Sequence, residues 1–143
     1  MSFGIIFAIL GAFVEGLWAV FHQQASHHIN SLFGAIIISF TAVVLGLFLL
    51  LLNMKSVTLV SDSRGILFSI LAGLMALGID YFALRAYSSG LEVSIVGPII
   101  IGGGIAVAAA LGFFLGDSIS VTKLLALALA IMGSALLVVS SGR

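Results

Sequence analysis

The stretch SFGIIFAILGAFVEGLWAVFHQQAS, residues 2–26, decides how this chain folds. It is almost wholly apolar and long enough to cross the ~30 Å hydrocarbon core of a bilayer, which takes about 20 helical residues. In lipid, such a run satisfies its backbone hydrogen bonds only as a helix. A helix that starts near Phe3 and rises about 1.5 Å per residue places Glu15 close to the bilayer centre. An acid there costs about 2.5–3.5 kcal/mol on insertion scales, which indicates a functional group facing protein or water.

The composition of the whole chain also indicates a membrane protein. Of its 143 residues 62% are hydrophobic and 7% are charged, whereas about a quarter of the residues in soluble domains are charged. The formal net charge is zero and no basic stripe occurs, so no nucleic-acid partner is expected. Cysteine is absent, which excludes disulfides and thiol chemistry. The first run lacks a positively charged start and is too long for a signal-peptide core, so we interpret it as a retained span.

Five apolar runs predict an all-α membrane protein with a single five-helix transmembrane domain over residues 1–143. The predicted spans cover residues 3–24, 31–52, 65–87, 93–115 and 119–140. The links between them are short. The longest link, at 53–64, offers Ser61 or Ser63 as a cap for the third helix.

The basic residues give almost no signal for the orientation of the chain in the membrane. Lys55, Arg64 and Lys123 are expected on the face of the N-terminus, and Arg85 and Arg143 on the opposite face. Two interpretations stay open. Either the chain inserts in both orientations (dual topology) and pairs with its inverted copy, or a small chain simply carries few charges.

A candidate site for substrate and proton lies on the first helix. Glu15, Trp18 and His22 share one helical face because they are spaced by three and four residues, and Gly11 leaves room on that face. Burial disfavours the ionised form of an acid, so a sheltered Glu15 would exchange protons. When ionised, it would hold a cation, with the ring of Trp18 for cation–π contact. The structural alternatives are pairing of Glu15 with Arg85, His22 or a serine, and an interfacial role for His22.

The third helix carries a second group of candidates. Asp80 lies about two-thirds of the way across, followed by Tyr81. Asp80 and Arg85 are five residues apart and therefore poorly placed for an ion pair on one helix. Arg85 and Tyr87 are interpreted as interfacial anchors. Asp80 is either a functional group or a helix-end carboxylate paired with a neighbouring span.

The fourth helix contains features of bending and packing rather than chemistry. Gly97 and Pro98 predict a kink, which membrane bundles tolerate where neighbours or water cover the freed backbone group. Small residues then recur at four-residue spacing, which lets another helix approach closely. They are Gly104, Ala108, Gly112 and Gly116. The fifth helix has Ser118 or Ser120 as its candidate cap. No catalytic residues, metal ligands or cofactor motif occur together, so we expect neither an enzyme nor a bound metal or cofactor.

The tail of the chain resembles the EamA-type domain of the drug/metabolite transporter superfamily. The matching string is YFALRAYSSGLEVSIVGPIIIGGGIAVAAALGFFLGDSISVTKLLALALAIMGSALLVV, residues 81–139. Its landmarks are Tyr81, Ala83-Leu84-Arg85, Pro98 one turn into the next helix, Gly116, and Gly133 in the last helix. The family usually has Glu after the glycine that corresponds to Gly116, whereas this chain has Asp117.

This resemblance implies a fold and a function. Most such transporters resemble two fused five-helix halves of opposite orientation, and this chain corresponds to one half, an EamA-like half-transporter bundle. The resemblance therefore implies a homodimer, and the missing charge bias agrees with an antiparallel one. It further implies a multi-pass protein of the cell (inner) membrane that exports a small polar or cationic metabolite or drug.

A looser likeness concerns the first helix. Glu15 within AILGAFVEGLWAVF is similar in placement to the essential Glu in the first helix of small multidrug resistance transporters, which suggests proton antiport through Glu15. The alternative function is a non-transporting membrane subunit that assembles with or stabilises another membrane protein. A channel is a weaker option, because the rings of charge or carbonyls that line a selectivity filter are missing.

Overall fold

Five α-helices follow one another along the chain in the computed structural model, which describes residues 3–53, 62–118 and 120–141. They are α1 (Phe3–Ser26), α2 (Ser31–Asn53), α3 (Ser63–Ser88), α4 (Val93–Phe114) and α5 (Val121–Ser141). The all-α prediction is confirmed for the described residues, and each helix begins and ends within two residues of its predicted bounds. Lys55, Ser61 and Arg143, on which the sequence predictions also drew, lie outside the described residues.

Four of these helices, α1 to α4, are long and apolar enough to cross a membrane. In α5 the apolar stretch found among the described residues, Val121–Leu137, is shorter than the other four. Most large apolar side chains point outward, as Phe7 and Phe40 do with exposures of 69% and 67%. Such a surface is suited to lipid, because soluble monomers rarely expose contiguous apolar patches of this extent. The helices therefore indicate a multi-pass membrane protein.

The chain divides into two compact units. The first unit consists of Met1–Val20 and Gly90–Arg143, and the second unit of Phe21–Ser89. The boundary near Val20 falls within α1, which continues through it as one helix.

In the second unit, α2 packs against α3 through a glycine. A Cβ atom at Gly34 would lie only 2.8 Å from Cδ1 of Leu84 and 3.1 Å from Cγ2 of Ile29. Leu84 and Ala35 are wholly buried. The absence of a side chain at Gly34 therefore lets Leu84 fill the contact between these two helices.

In the first unit, α4 packs against α5 at Gly102. A Cβ atom at Gly102 would collide with the hydroxyl of Ser134 on α5. That hydroxyl lies 2.9 Å from the carbonyl oxygen of Pro98 and 3.0 Å from that of Ala130, and shares its proton between them. Side-chain hydrogen bonds of this kind tie helices together in lipid. The carbonyl that Pro98 leaves without a donor is that of Ser94, four residues earlier, so the bond from Ser134 to Pro98 serves to join α5 to α4.

The predicted small-residue stripe contributes little to this packing. No described atom lies within 4 Å of the position that a Cβ would take at Gly104. At Gly112 the nearest atom is Oδ2 of Asp117, at 2.6 Å, which belongs to the turn that follows α4. At Gly97 the nearest is Cβ of Ala19, at 3.9 Å. The close approach of α4 to α5 is thus at Gly102, which lies outside the stripe.

Side-chain caps fix the start of two helices. Oδ1 of Asp62 accepts a hydrogen bond from the backbone N–H of Arg64 at 2.9 Å, so Asp62 caps α3 and the prediction of Ser63 is wrong. The helix already includes Ser63, one residue after the capping position. At α5, Oγ of Ser120 accepts from the backbone N–H of Lys123 at 3.2 Å, which confirms one of the two predicted candidates.

Candidate functional site

The second unit contains a buried pair of ionisable side chains. Nε2 of His22 lies 3.1 Å from Oδ1 of Asp80, the distance of a hydrogen bond between imidazole and carboxylate. His22 is 3% exposed and Asp80 is 6% exposed. Burying a charge is costly unless the group is paired and hydrogen-bonded. Each side chain therefore makes the burial of the other possible.

Helical spacing explains how these groups reach the same place. On α3 the buried residues recur every three or four positions, which puts them on one face of the helix. They are Asp80, Ala83, Leu84 and Tyr87. On α1, His22 and Ser26 are buried and four residues apart, and Oγ of Ser26 donates to the carbonyl oxygen of Gln23 at 2.7 Å. The polar end of α1 thus presents His22 to the buried face of α3.

The two acids that the sequence singled out have different surroundings. Asp80 is buried and paired with His22 of α1, which corresponds to the alternative in which its carboxylate pairs with a neighbouring span. Glu15 is exposed on α1 and makes no hydrogen bond or ion pair within the part of the chain that the structure describes. Trp18 is half-buried and Gly11 has open space beside it. His22 is buried, and its position at the membrane interface stays a prediction.

The two tyrosines of α3 differ in their surroundings. Tyr81 is half-buried, and its ring packs edge-on against Phe82 with 5.3 Å between the ring centroids. Tyr87 is wholly buried, so its prediction as an interfacial anchor is wrong. The hydroxyl of Tyr87 has no hydrogen-bond partner among the described residues. The sequence analysis did not predict that Tyr87 is buried, although its position seven residues after Asp80 puts it on the same helical face.

An open groove of about 550 Å³ lies along the C-terminal end of α3. It is lined by Phe82, Arg85, Ala86, Ser88 and Ser89. Its two serine hydroxyls donate to carbonyl oxygens of α3 itself, over 2.9 Å and 2.6 Å. The exposed guanidinium of Arg85 is therefore the polar group that this groove offers to solvent or headgroups.

Among the described residues, no three His, Asp or Glu side chains come close enough together to hold a metal ion.

The chain was compared with known proteins by family model, by sequence and by structure. No family model matches it, and no curated protein or solved structure is significantly similar to it. The resemblance to EamA-type domains therefore remains a prediction from residues of this chain, and the site is interpreted from its own chemistry.

Proposed function

We propose that this chain is a small multi-pass transporter of the drug/metabolite type, which exports a small polar or cationic solute across the cell (inner) membrane as a homodimer. The observation that best supports the proposal is the His22–Asp80 pair, buried in a chain of apolar helices. Ionisable residues inside membrane segments are rare and typically mark substrate or proton pathways.

Glu15 is the second element of the proposal. Its carboxylate is exposed midway along α1, amid side chains suited to lipid. A carboxylate facing hydrocarbon is costly, so a second copy of the chain is the natural cover for it. In transporters with inverted repeats, sites commonly lie near the midplane where the repeats meet. An antiparallel homodimer would build such a site from one sequence.

The proposed mechanism uses one acid for two ligands in turn. Ionised Glu15 holds the cationic solute, and the nearby ring of Trp18 contributes a cation–π contact. Protonated Glu15 no longer attracts the cation, so uptake of a proton from one side releases the solute there. Such an exchange is antiport of the solute against a proton.

The test is transport by the purified chain in proteoliposomes under a pH gradient, with methylammonium and ethidium as probes. We expect Glu15→Gln to abolish gradient-driven flux and to leave the protein folded. Glu92→Gln is the matched control, because Glu92 is an exposed acid at the start of α4 whose side chain makes no capping hydrogen bond. It should keep wild-type flux.

Unchanged flux in Glu15→Gln would reject the role of this acid. Absence of flux in the wild-type chain, together with a different protein that remains bound on purification, would support the alternative of a non-transporting subunit.

A further inference from the structure

We infer that Tyr87 is a ligand-binding residue, and that its hydroxyl and the Asp80 carboxylate together accept the N–H groups of a small protonated amine. This inference rests on the proposed transport function and narrows the class of solute. It adds Tyr87 to the His22–Asp80 pair as a binding residue, whereas the sequence had suggested this tyrosine only as a membrane anchor.

The starting observation is the hydroxyl of Tyr87. Its oxygen is buried without a hydrogen-bond partner among the described residues, on a side chain that is 0% exposed. The large majority of buried polar groups in proteins have a partner, and leaving one unsatisfied is destabilising. A hydroxyl kept in this position requires an explanation beyond packing, which phenylalanine would provide equally well.

Helix geometry places Tyr87 on the same buried face of α3 as Asp80. Asp80 and Tyr87 are seven residues apart, so they lie on one face of α3 and their backbones are about 10.5 Å apart along the axis. Long side chains in a helix lean toward its N-terminus, so the ring of Tyr87 extends toward the turn of Asp80. Ala83, with its small side chain, lies between them on the same buried face.

Charge selects the type of ligand. The imidazole of His22 compensates the Asp80 carboxylate only when it is protonated. The other basic side chains described in the second unit are exposed, namely His27, His28, Arg64 and Arg85. A protonated amine brings a permanent positive charge and N–H donors, and both oxygen atoms can accept from it. A quaternary ammonium ion brings the charge but no donor.

The test is the thermal stability of the purified chain in detergent, with methylammonium or tetramethylammonium chloride at equal concentration. Methylammonium should raise the Tm of the wild-type chain by a few degrees, as expected for a ligand that binds only the folded state. Tetramethylammonium should raise it less. Tyr87→Phe should abolish the specific shift while its Tm without amine stays equal to the wild-type value or rises, because only an unpaired hydroxyl is lost.

The control removes a different hydroxyl in the second unit. Oγ1 of Thr41 on α2 is exposed and donates to the carbonyl oxygen of Ile37, so Thr41→Val should retain the full methylammonium shift. The inference is overturned if methylammonium has no effect beyond that of tetramethylammonium, or if Tyr87→Phe keeps the shift. It is also overturned if Tyr87→Phe lowers the Tm without amine, since the hydroxyl would then have a structural partner.

The inference of an amine site and the proposal of transport can fail independently of each other. A wild-type chain that shows the specific shift but no flux in proteoliposomes would retain the amine site and lose the transport function. A chain that transports, and whose Tyr87→Phe variant has the wild-type KM and shift, would retain transport and lose the role of Tyr87.

Discussion

At the scale of single residues, the buried acidic and basic side chains among the described residues, His22 and Asp80, form one pair. His22 and Asp80 are 58 positions apart in the chain and 3.1 Å apart in the structure. Removing one partner leaves the other buried without its hydrogen bond, which typically costs about 1–3 kcal/mol. Removing both removes the donor and the acceptor of this hydrogen bond together. The pair should therefore behave as a unit in mutagenesis.

We expect His22→Ala and Asp80→Ala each to lower the free energy of unfolding by about 1–3 kcal/mol, and the double variant to lose less than the sum. A denaturant titration in mixed micelles measures this double-mutant cycle. His27→Ala is the control, because its imidazole is exposed in the turn after α1, and it should leave stability unchanged. Strictly additive losses would show that the two side chains do not interact.

At the scale of helices, close contact depends on glycines at two particular positions. The absence of a side chain at Gly102 leaves room for Ser134 of α5, and the absence of one at Gly34 leaves room for Leu84 of α3. These contacts differ in how easily they adjust. The side chain of Ser134 is short and its Cβ is itself 3.0 Å from the position of an added methyl, whereas at Leu84 the nearest atom is the end of a longer side chain. A substitution at Gly102 should accordingly be the more damaging.

We expect Gly102→Ala to lower the free energy of unfolding by about 1–3 kcal/mol, the range for overpacking a close contact. Gly103→Ala is the matched control, because a Cβ there meets nothing within 4 Å. Adding Ser134→Ala to Gly102→Ala should restore part of the loss, since it removes the colliding hydroxyl. The same denaturant titration checks the three variants, and equal stability of the two alanine variants would contradict the close contact at Gly102.

At the scale of the whole molecule, the apolar surface and the sparse charge decide how the chain meets the membrane. The side chains that face outward are mostly large and apolar, and lipid can cover them as protein would. The basic residues divide three to two between the faces predicted from five spans. Such a small difference sets orientation weakly.

We expect both orientations of the chain in one membrane. Because the chain lacks cysteine, single cysteines added at either terminus can be labelled with an impermeant maleimide from one side of the membrane. Each should react in part of the population. Three lysines added to the link at 53–64 should shift the population toward one orientation, and complete protection or complete labelling of the unmodified chain would contradict dual topology.

Much of the helical framework could be predicted because it follows from local properties. The apolar runs and the short links between them gave helix bounds within two residues of those observed. The site was predicted only in part. Asp80 and His22 were singled out separately, as was Glu15, but nothing in their spacing along the chain indicated that Asp80 would pair with His22 and leave Glu15 exposed.

The sequence by itself determined that the chain forms long apolar helices, because a backbone in lipid must bond to itself and the hydrophobic runs have the length that this requires. The tertiary structure alone decided which polar side chains meet. The rotation of α1 and α3 about their axes brings His22 to Asp80 and buries Tyr87. The packing of α4 on α5 likewise decides that the close approach is at Gly102 and not at Gly103 or Gly104. Helix rotation depends on the fit of many side chains together, and a one-dimensional pattern does not contain that information.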